Sequence, residues 1–301
     1  MPALICGSLA YDTITTFPGR FADQILPEQV HILNVSFLVP TMRREFGGCA
    51  GNIAYSLRLL GGEPVIMAAL GVDGSDYRAR LDAWGVNTAL VHSDPELHTA
   101  QAIIITDRDN NQITAFHPGA MNNAHLIATP LPAGLAIGIV APDGREAMWR
   151  RANQMHAAGI PFVFDPGQQL PQFDGAELRE FIGLASWVAV NDYEARMLCE
   201  RTGQSLAMMS ESHLKGIIVT LAAEGCELWI KGQRTLVPGV AATEVVDPTG
   251  CGDAFRGGLL YGLERGWSLE RSVALGNRVG AIKIACRGPQ NHSLEGVLAA
   301  A

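Results

Sequence analysis

Six short apolar runs recur along the chain, and they constrain its fold more than any other feature of the sequence. Turn residues bound each run, and segments with helical periodicity separate them; they lie at residues 3–10, 64–71, 137–142, 161–166, 187–191 and 216–221. Short apolar runs that alternate with helices are typical of a buried parallel sheet covered by helices on both faces. We therefore predict an α/β fold with a doubly wound, mostly parallel sheet.

A second set of β-like segments lacks intervening helices and lies at residues 12–17, 30–39, 98–106 and 112–117. Segments of this kind could pair into a small sheet that covers the α/β body as a lid, or they could extend the main sheet. We expect one domain over residues 1–301, with lid segments at about 12–47 and 95–120. The apolar run A-I-I-I in the lid favours a homodimer formed through the lids.

The composition excludes several classes of partner. The chain is 48% hydrophobic and 17% charged and has a formal net charge of −8, so no broad basic surface is available for nucleic acid or an anionic membrane. Its apolar runs are too short to span a bilayer, and its first residues lack a basic leader, so we expect a cytoplasmic location. Six cysteines without C-x-x-C spacing, and eight histidines without ligand spacing, predict reduced thiols and no structural metal.

The stretch D-P-T-G-C-G-D at residues 247–253 leads directly into the apolar run A-F-R-G-G-L-L-Y-G-L. Pro248 stops a preceding helix, while Gly250 and Gly252 permit backbone conformations and close approaches that other residues prevent. A helix that begins here would point unpaired N–H groups and its positive dipole end at an anion. The motif is neither a Walker A loop nor a dinucleotide fingerprint, because Phe255 replaces the third glycine.

Asp253 is an unusual residue within a turn that binds anions. A carboxylate there repels a phosphate but could accept the proton of a hydroxyl that attacks it, which predicts phosphoryl transfer to an alcohol. The alternative is an acid that only stabilises the first turn of a helix. Three predicted strands also end in polar residues, Asp165, Asn191 and Thr220, at the sheet edge where open α/β folds bind ligands.

Several motifs in order resemble the ribokinase-like (PfkB-type) family of sugar and nucleoside kinases. The two signature regions are F-G-G-C-A-G-N at 46–52 and D-P-T-G-C-G-D at 247–253, and N-x-x-E at 191–194 and T-L-A-A-E-G at 220–225 lie between them. The resemblance covers nearly the whole chain. It implies a doubly wound sheet with a β lid, the cofactors ATP and Mg²⁺, and transfer of the γ-phosphoryl group to a primary hydroxyl.

The resemblance also implies roles for individual residues. Asp253 corresponds to the catalytic base, and the backbone amides of the anion hole are those of Gly250, Cys251 and Gly252. Glu194 and Asn191 correspond to the pair that holds magnesium through water. The nucleotide-binding residues implied are Asn191, Thr220, Gly225 and Asn277. Family members often have glycine where this chain has Ala222, and many depend on K⁺.

Within the family, the stretches at 17–28, 36–39, 116–121 and 165–170 are most similar to bacterial adenosine kinases. The groups implied for the ribose are those of Ser8, Asp12, Ser36, Gly48 and Asn52. Phe116 is placed to stack on a nucleobase, and Gln168 and Gln169 offer amides to the base or the sugar. Ala102 stands where related kinases carry a second aromatic residue, which predicts weaker or broader base selection.

We therefore expect an ATP-dependent kinase that phosphorylates the 5′-hydroxyl of a nucleoside. Adenosine is the leading substrate, and inosine, guanosine and cytidine are further candidates. Two alternatives remain at this point: a ribokinase-type sugar kinase, and a protein that binds nucleosides without turnover.

Overall fold

The computed structural model describes residues 1–25, 31–32, 34–109 and 111–300. The strands in these residues are β1 (Pro2–Cys6), β2 (Ala10–Thr16), β3 (Thr41–Gly47), β4 (Glu63–Leu70), β5 (Asn87–Ser93), β6 (Ala100–Thr106), β7 (Gln112–His117), β8 (Ile137–Val140), β9 (Phe162–Phe164), β10 (Trp187–Asn191), β11 (Gly216–Thr220), β12 (Gly225–Ile230) and β13 (Gln233–Pro238). The α-helices are α1 (Cys49–Leu59), α2 (Ser75–Ala83), α3 (Arg145–Ala157), α4 (Gly175–Leu184), α5 (Asp192–Thr202), α6 (Leu206–Ser210), α7 (Cys251–Glu264) and α8 (Leu269–Ile284). Within the described residues, none of these helices has both the length and the apolar character needed to cross a membrane.

The larger sheet has nine strands in the order β13-β12-β11-β10-β9-β8-β1-β4-β5. All neighbours from β5 to β11 are parallel, and β12 and β13 form an antiparallel hairpin at one edge. This is the mostly parallel, doubly wound architecture predicted from the alternating runs.

The apolar strands are buried on both faces because successive side chains point to opposite sides of a sheet. In β1, Ala3 and Ile5 pack in the core beneath α1, α7 and α8, whereas Leu4 and Cys6 pack in the core beneath α3, α4 and α5. The residues of the two cores alternate along the other parallel strands in the same way. Each strand therefore needs an almost continuous apolar run, which is the feature that the sequence shows.

The smaller sheet, here called the lid sheet, has the order β3-β2-β6-β7. Strands β2, β6 and β7 match the predicted segments at 12–17, 98–106 and 112–117, so the prediction of a separate small sheet is confirmed. The predicted strand at 30–39 is wrong: positions 31–32 and 34–39 carry no strand, and positions 30 and 33 lie outside the described residues. The fourth strand is β3, which pairs along β2 from Thr16 opposite Thr41 to Ala10 opposite Gly47.

Phe37 is the residue of this stretch that packs against other aromatic rings. The ring of Phe37 packs against the rings of Phe17 and Phe21 with centroid distances of 5.0 Å to both, so its burial belongs to an aromatic cluster beside the lid sheet. Strand β3 reads T-M-R-R-E-F-G and is mostly polar because much of it is exposed. Because β3 lacks alternating apolar residues, the sequence pattern does not predict it as a strand.

Helix α7 lies close to both of its neighbours through glycines. A Cβ atom at Gly257 would lie 2.6 Å from the Ser56 Cβ of α1, and one at Gly258 would lie 2.9 Å from the Gly276 Cα of α8. These distances leave no room for a side chain, so the helices pack backbone against backbone. The start of α7 is thereby fixed relative to the start of α1.

We predict that Gly258→Ala destabilises the fold by about 1–3 kcal/mol, because the added methyl group forces α7 and α8 apart. The matched control is Gly183→Ala in α4, where a Cβ meets nothing within 4 Å and alanine is the better helix former by about 1 kcal/mol. Urea unfolding followed by circular dichroism measures both changes. Equal stability of the two variants would contradict the close packing described here.

Candidate active site

Three adjoining cavities follow the carboxyl edge of the large sheet. The first, of about 580 Å³, lies between the lid sheet and the α/β body and is called here the acceptor cavity. The middle cavity, of about 360 Å³, is lined by residues that follow β9 and β10 and by the start of α7. The third, of about 380 Å³, lies between α7, α8 and the β12–β13 hairpin. Gly252 lines all three cavities, and Asp253 lines the first two.

The loop before α7 is held in place by several hydrogen bonds. Gly250 caps the helix with φ 78°, a conformation that favours glycine, and a Cβ there would lie 2.6 Å from Pro289 Cβ. The Asp247 carboxylate accepts hydrogen bonds of 2.9 Å from the N–H groups of Thr249 and Gly288. Burial alone would raise the pKa of Asp247, but these hydrogen bonds lower it below its usual value. The helix begins at Cys251, as the motif predicts.

Asp253 lies in the first turn of α7, and its Oδ2 accepts a 2.8 Å hydrogen bond from Asn52 Nδ2. Burial raises the pKa of Asp253 to about 6, and the nearby Asp165 carboxylate adds to the rise. The hydrogen bond from Asn52 and the Arg256 guanidinium oppose it. Such a pKa suits a general base that works near neutral pH.

Arg256 and Asp165 form a buried ion pair that sequence reasoning missed. Arg256 Nε lies 2.9 Å from Asp165 Oδ2, and its Nη2 lies 3.1 Å from Oδ1, so the contact is bidentate. Both residues line the middle cavity beside Asp253. The sequence identifies Asp165 as a polar residue at the end of a predicted strand, but it does not identify the side chain that pairs with it. The sequence signal for the pair is Arg256 itself, a charged residue within the apolar run that follows D-P-T-G-C-G-D.

Asn191 and Glu194 form a capping box at the start of α5. Asn191 Oδ1 accepts from the Glu194 N–H at 2.7 Å, and Glu194 Oε2 accepts from the Asn191 N–H at 2.8 Å. Burial raises the pKa of Glu194, and Asp165 adds to the rise. Both residues line the middle cavity. The pair thus has a structural role in addition to the one implied by resemblance.

A magnesium ion would find a limited set of protein ligands here. Across the described parts of the chain, no group of three or more His, Cys, Asp or Glu side chains could hold a metal. Mg²⁺ usually binds through one or two carboxylates, several waters and substrate phosphates, and Glu194 with Asn191 fits that pattern.

Thr220, Gly225 and Asn277 all line the third cavity, as does Ala222. Ala222 has φ 50°, a left-handed conformation that glycine would adopt with less strain. Gly225 has a structural role as well, because a Cβ there would lie 2.2 Å from the Val237 carbonyl oxygen of β13. Asn277 Nδ2 donates to the Pro238 carbonyl at 3.1 Å and ties α8 to the hairpin.

The acceptor cavity contains nearly all the residues predicted for the substrate: Ser8, Asp12, Gly48, Asn52, Phe116, Gln168 and Gln169. The exception is Ser36, which is exposed in the segment that precedes β3 and does not line this cavity. A contact of Ser36 with the substrate therefore stays a prediction. The further lining residues that the sequence did not identify include Thr114, Met121, Gln172 and Thr249.

The polar end of the acceptor cavity is built around Asp12. Burial, together with the nearby carboxylates of Asp253 and Asp247, raises the pKa of Asp12 to about 7. Gly47 and Gly48 make this arrangement possible: a Cβ at Gly47 would lie 2.5 Å from Asp12 Oδ2, and one at Gly48 would lie 2.6 Å from the Ser8 carbonyl oxygen. Asp12 therefore holds or releases a proton readily near neutral pH.

The opposite end of the cavity is more apolar. Phe116 of β7 is half exposed and stands directly opposite Ala102 of β6 in the lid sheet, so the small alanine leaves space beside the ring. Gln169 lies in the 3-10 turn Gly167–Gln172, and its Oε1 is buried without a hydrogen-bond partner in the described structure. A buried acceptor of this kind is suited to a ligand N–H or O–H.

Comparison with known proteins identifies the family to which the chain belongs. The pfkB family carbohydrate kinase profile matches residues 19–295. A nucleoside kinase of Methanocaldococcus jannaschii is 29% identical over 264 residues, which cover 86% of this chain and 85% of that protein. The structure of Burkholderia thailandensis nucleoside kinase in complex with inosine is 50% identical with a TM-score of 0.87, covering 97% of this chain and 93% of the other.

The same Burkholderia thailandensis kinase in complex with ADP-inosine is 51% identical with a TM-score of 0.85, covering 97% of this chain and 91% of the other. The family match spans most of the chain and includes all the lining residues of the middle and third cavities. The chain therefore belongs to the pfkB family of carbohydrate kinases and is a phosphotransferase that acts on a hydroxyl group.

Proposed function

We propose that this protein is an ATP-dependent nucleoside kinase that transfers the γ-phosphoryl group to the 5′-hydroxyl of a nucleoside. The observation that carries the proposal is the position of Asp253, which lines both the acceptor cavity and the middle cavity at the start of α7. A hydroxyl in the first cavity and a phosphate in the second would meet at this carboxylate.

The chemistry follows from that position. Asp253 takes the proton of the 5′-hydroxyl as its oxygen attacks the γ-phosphorus. The N–H groups of Gly250, Cys251 and Gly252 stabilise the charge on the transferring group, as expected for amides at a helix start. Asp12 and Asn52 hold the ribose, and the lid sheet closes over the nucleoside and excludes water.

The phosphate donor is assigned to the middle and third cavities. Thr220, Gly225 and Asn277 line the third cavity, where ATP would bind with its phosphates toward Gly252. Glu194 and Asn191 would hold magnesium through water, and the ion would neutralise phosphate charge. The Burkholderia thailandensis complex with ADP-inosine supports an adenine nucleotide as the phosphate donor. A dependence on K⁺ stays a prediction.

Adenosine remains the leading acceptor, and inosine, guanosine and cytidine stay candidates. Inosine in the Burkholderia thailandensis complex supports a purine nucleoside. The half-exposed Phe116 ring supports stacking on the base, and the unpartnered Gln169 Oε1 supports a hydrogen-bond donor on the ligand. The space beside Ala102 supports broad base selection.

The homodimer and the cytoplasmic location stay predictions from the sequence. Ile103 and Ile113 are exposed on the outer face of the lid sheet, which supports association through the lids. We also propose that residues 1–301 act as one domain with the lid segments at about 12–47 and 95–120 inserted.

A coupled kinase assay with adenosine, inosine, guanosine, cytidine, ribose and fructose tests the function. We expect at least one nucleoside to exceed both free sugars in kcat/KM, because the acceptor cavity continues from Asp12 to Phe116, past the space for a ribose. Faster turnover of a free sugar would establish the sugar-kinase alternative. Nucleoside binding without any turnover would establish the non-catalytic one.

For the base, we predict that Asp253→Asn lowers kcat by about 10³-fold or more while ATP binding is retained. In the wild-type protein, kcat/KM should fall as the pH falls through about 6, because protonation of Asp253 removes the base. Steady-state kinetics and calorimetric titration with ATP measure the two effects. Turnover of the variant close to that of the wild type would remove Asp253 from this role.

For the nucleobase, we predict that Phe116→Ala raises KM for the best nucleoside by about 10-fold, because one stacking contact contributes about 1 kcal/mol or more. The matched control is Ile113→Ala, which changes the outer face of the same strand and should leave KM unchanged. Equal KM values for the two variants would place the base elsewhere.

A further inference from the structure

Gln290 lies in the segment after α8 and is almost completely buried. Its Nε2 donates two hydrogen bonds, one of 2.9 Å to Asn52 Oδ1 and one of 2.8 Å to the Tyr77 hydroxyl oxygen. Asn52 in turn donates from Nδ2 to Asp253 Oδ2 at 2.8 Å. The side chain of Gln290 is therefore one hydrogen-bonded group removed from the proposed base.

This chain of hydrogen bonds has a direction, and a backbone group sets it. The Gly47 carbonyl can only accept, and the Tyr77 hydroxyl donates its single proton to it at 2.5 Å. The Tyr77 oxygen can then only accept from Gln290, so the glutamine turns its NH₂ group to this side. The same NH₂ group meets Asn52, whose carbonyl oxygen must face it and whose NH₂ group must face Asp253.

We infer that Gln290 is a positioning residue: it fixes the side-chain amide of Asn52 so that an N–H group, and not the carbonyl oxygen, faces Asp253. The inference rests on the proposed function, in which Asp253 is the catalytic base. It assigns a task in that reaction to a residue outside the two signature motifs.

The orientation matters because the alternative places two acceptors against each other. A flipped Asn52 would turn Oδ1 toward the Asp253 carboxylate, and the contact would become favourable only with a proton on Asp253. A protonated Asp253 cannot accept the proton of the attacking hydroxyl. The amide orientation therefore determines whether the base is in its active form near neutral pH.

A second observation shows that the orientation of Gln290 has a cost. Its Oε1 is buried and has no hydrogen-bond partner among the described residues. A buried carbonyl without a partner destabilises the fold, because the hydrogen bonds it makes to water in the unfolded chain are not replaced. Both protons of its NH₂ group are engaged, so the fold retains the donors of this amide at the expense of its acceptor.

Several charged or titratable groups surround Asp253 and bear on its titration. Asp12 faces it from β2, Asp165 from the end of β9, Arg256 and Cys251 from α7, and Cys49 from α1. Asp12 titrates in a similar range, with a pKa of about 7. A test must therefore compare variants in which these groups are unchanged and must observe Asp253 itself.

The test is Gln290→Met, which keeps the volume of the side chain and removes its two donors. We expect the acid limb of the kcat/KM profile to move to higher pH by about one unit, while kcat on the alkaline plateau stays within about threefold of the wild type. The matched control is Asn291→Ala in the same segment; its side chain contacts Glu45 and Arg287, away from Asn52, and its limb should not move.

A carbon-13 NMR titration of aspartate carboxyl groups in the free protein gives a readout that needs no turnover. The Asp253 signal is identified by its absence in Asp253→Asn, and its midpoint should rise in Gln290→Met only. An unchanged midpoint together with an equal loss of kcat at every pH would overturn the inference and leave Gln290 a purely structural role. A shifted midpoint in a protein that phosphorylates no nucleoside would instead refute the proposed function.

Discussion

The close contact of α7 with α1 and α8 is the constraint on which the site depends. The backbone of α7 at Gly257 and Gly258 touches both neighbours without room for a methyl group, and Asp253 lies one turn before this contact. Asn52 lies in the first turn of α1, so the same contact sets its 2.8 Å distance to Asp253. A shift of α7 by one ångström would break this hydrogen bond, since such bonds weaken steeply beyond about 3.2 Å. The packing of α7 against its neighbours therefore also determines the distance between Asn52 and Asp253.

Three carboxylates at the same edge of the sheet, those of Asp12, Asp165 and Asp253, have different electrostatic surroundings. Asp165 accepts hydrogen bonds from Nε and Nη2 of Arg256, so its charge is paired within the protein. Asp12 and Asp253 have no such partner, and burial raises their pKa values to about 7 and about 6. These two groups can exchange protons with a bound hydroxyl near neutral pH, whereas the Arg256–Asp165 pair supplies a fixed frame beside them. A substrate hydroxyl that entered between Asp12 and Asp253 would find acceptors of the right basicity.

The sequence predicts local patterns well and long-range pairing poorly. The run A-L-I-C in β1 predicts a strand buried on both faces, and D-P-T-G-C-G-D predicts a helix start, because each signal lies within a few neighbouring residues. The apolar pattern at residues 30–39 predicts a strand that the structure lacks, because Phe37 packs in an aromatic cluster and Ile32 and Leu38 are exposed. Partners such as Arg256 with Asp165 are 91 positions apart, and Gln290 with Asn52 are 238 positions apart. The sequence marks Arg256 as a charged residue in an apolar run, but it does not indicate which residue is the partner in either pair, so the fold is needed to identify them.

Asn52 illustrates how a role carried over from a family can be incomplete. The resemblance places it at the ribose, whereas in the structure it donates to Asp253 and accepts from Gln290. The two roles are compatible because an amide nitrogen carries two N–H groups and the contact with Asp253 uses one. Asn52 also lines the acceptor cavity, where its second N–H would be directed at a ligand oxygen. One amide could then orient the sugar and hold the base in its ionised form, and fixing its orientation would serve substrate binding and catalysis at once.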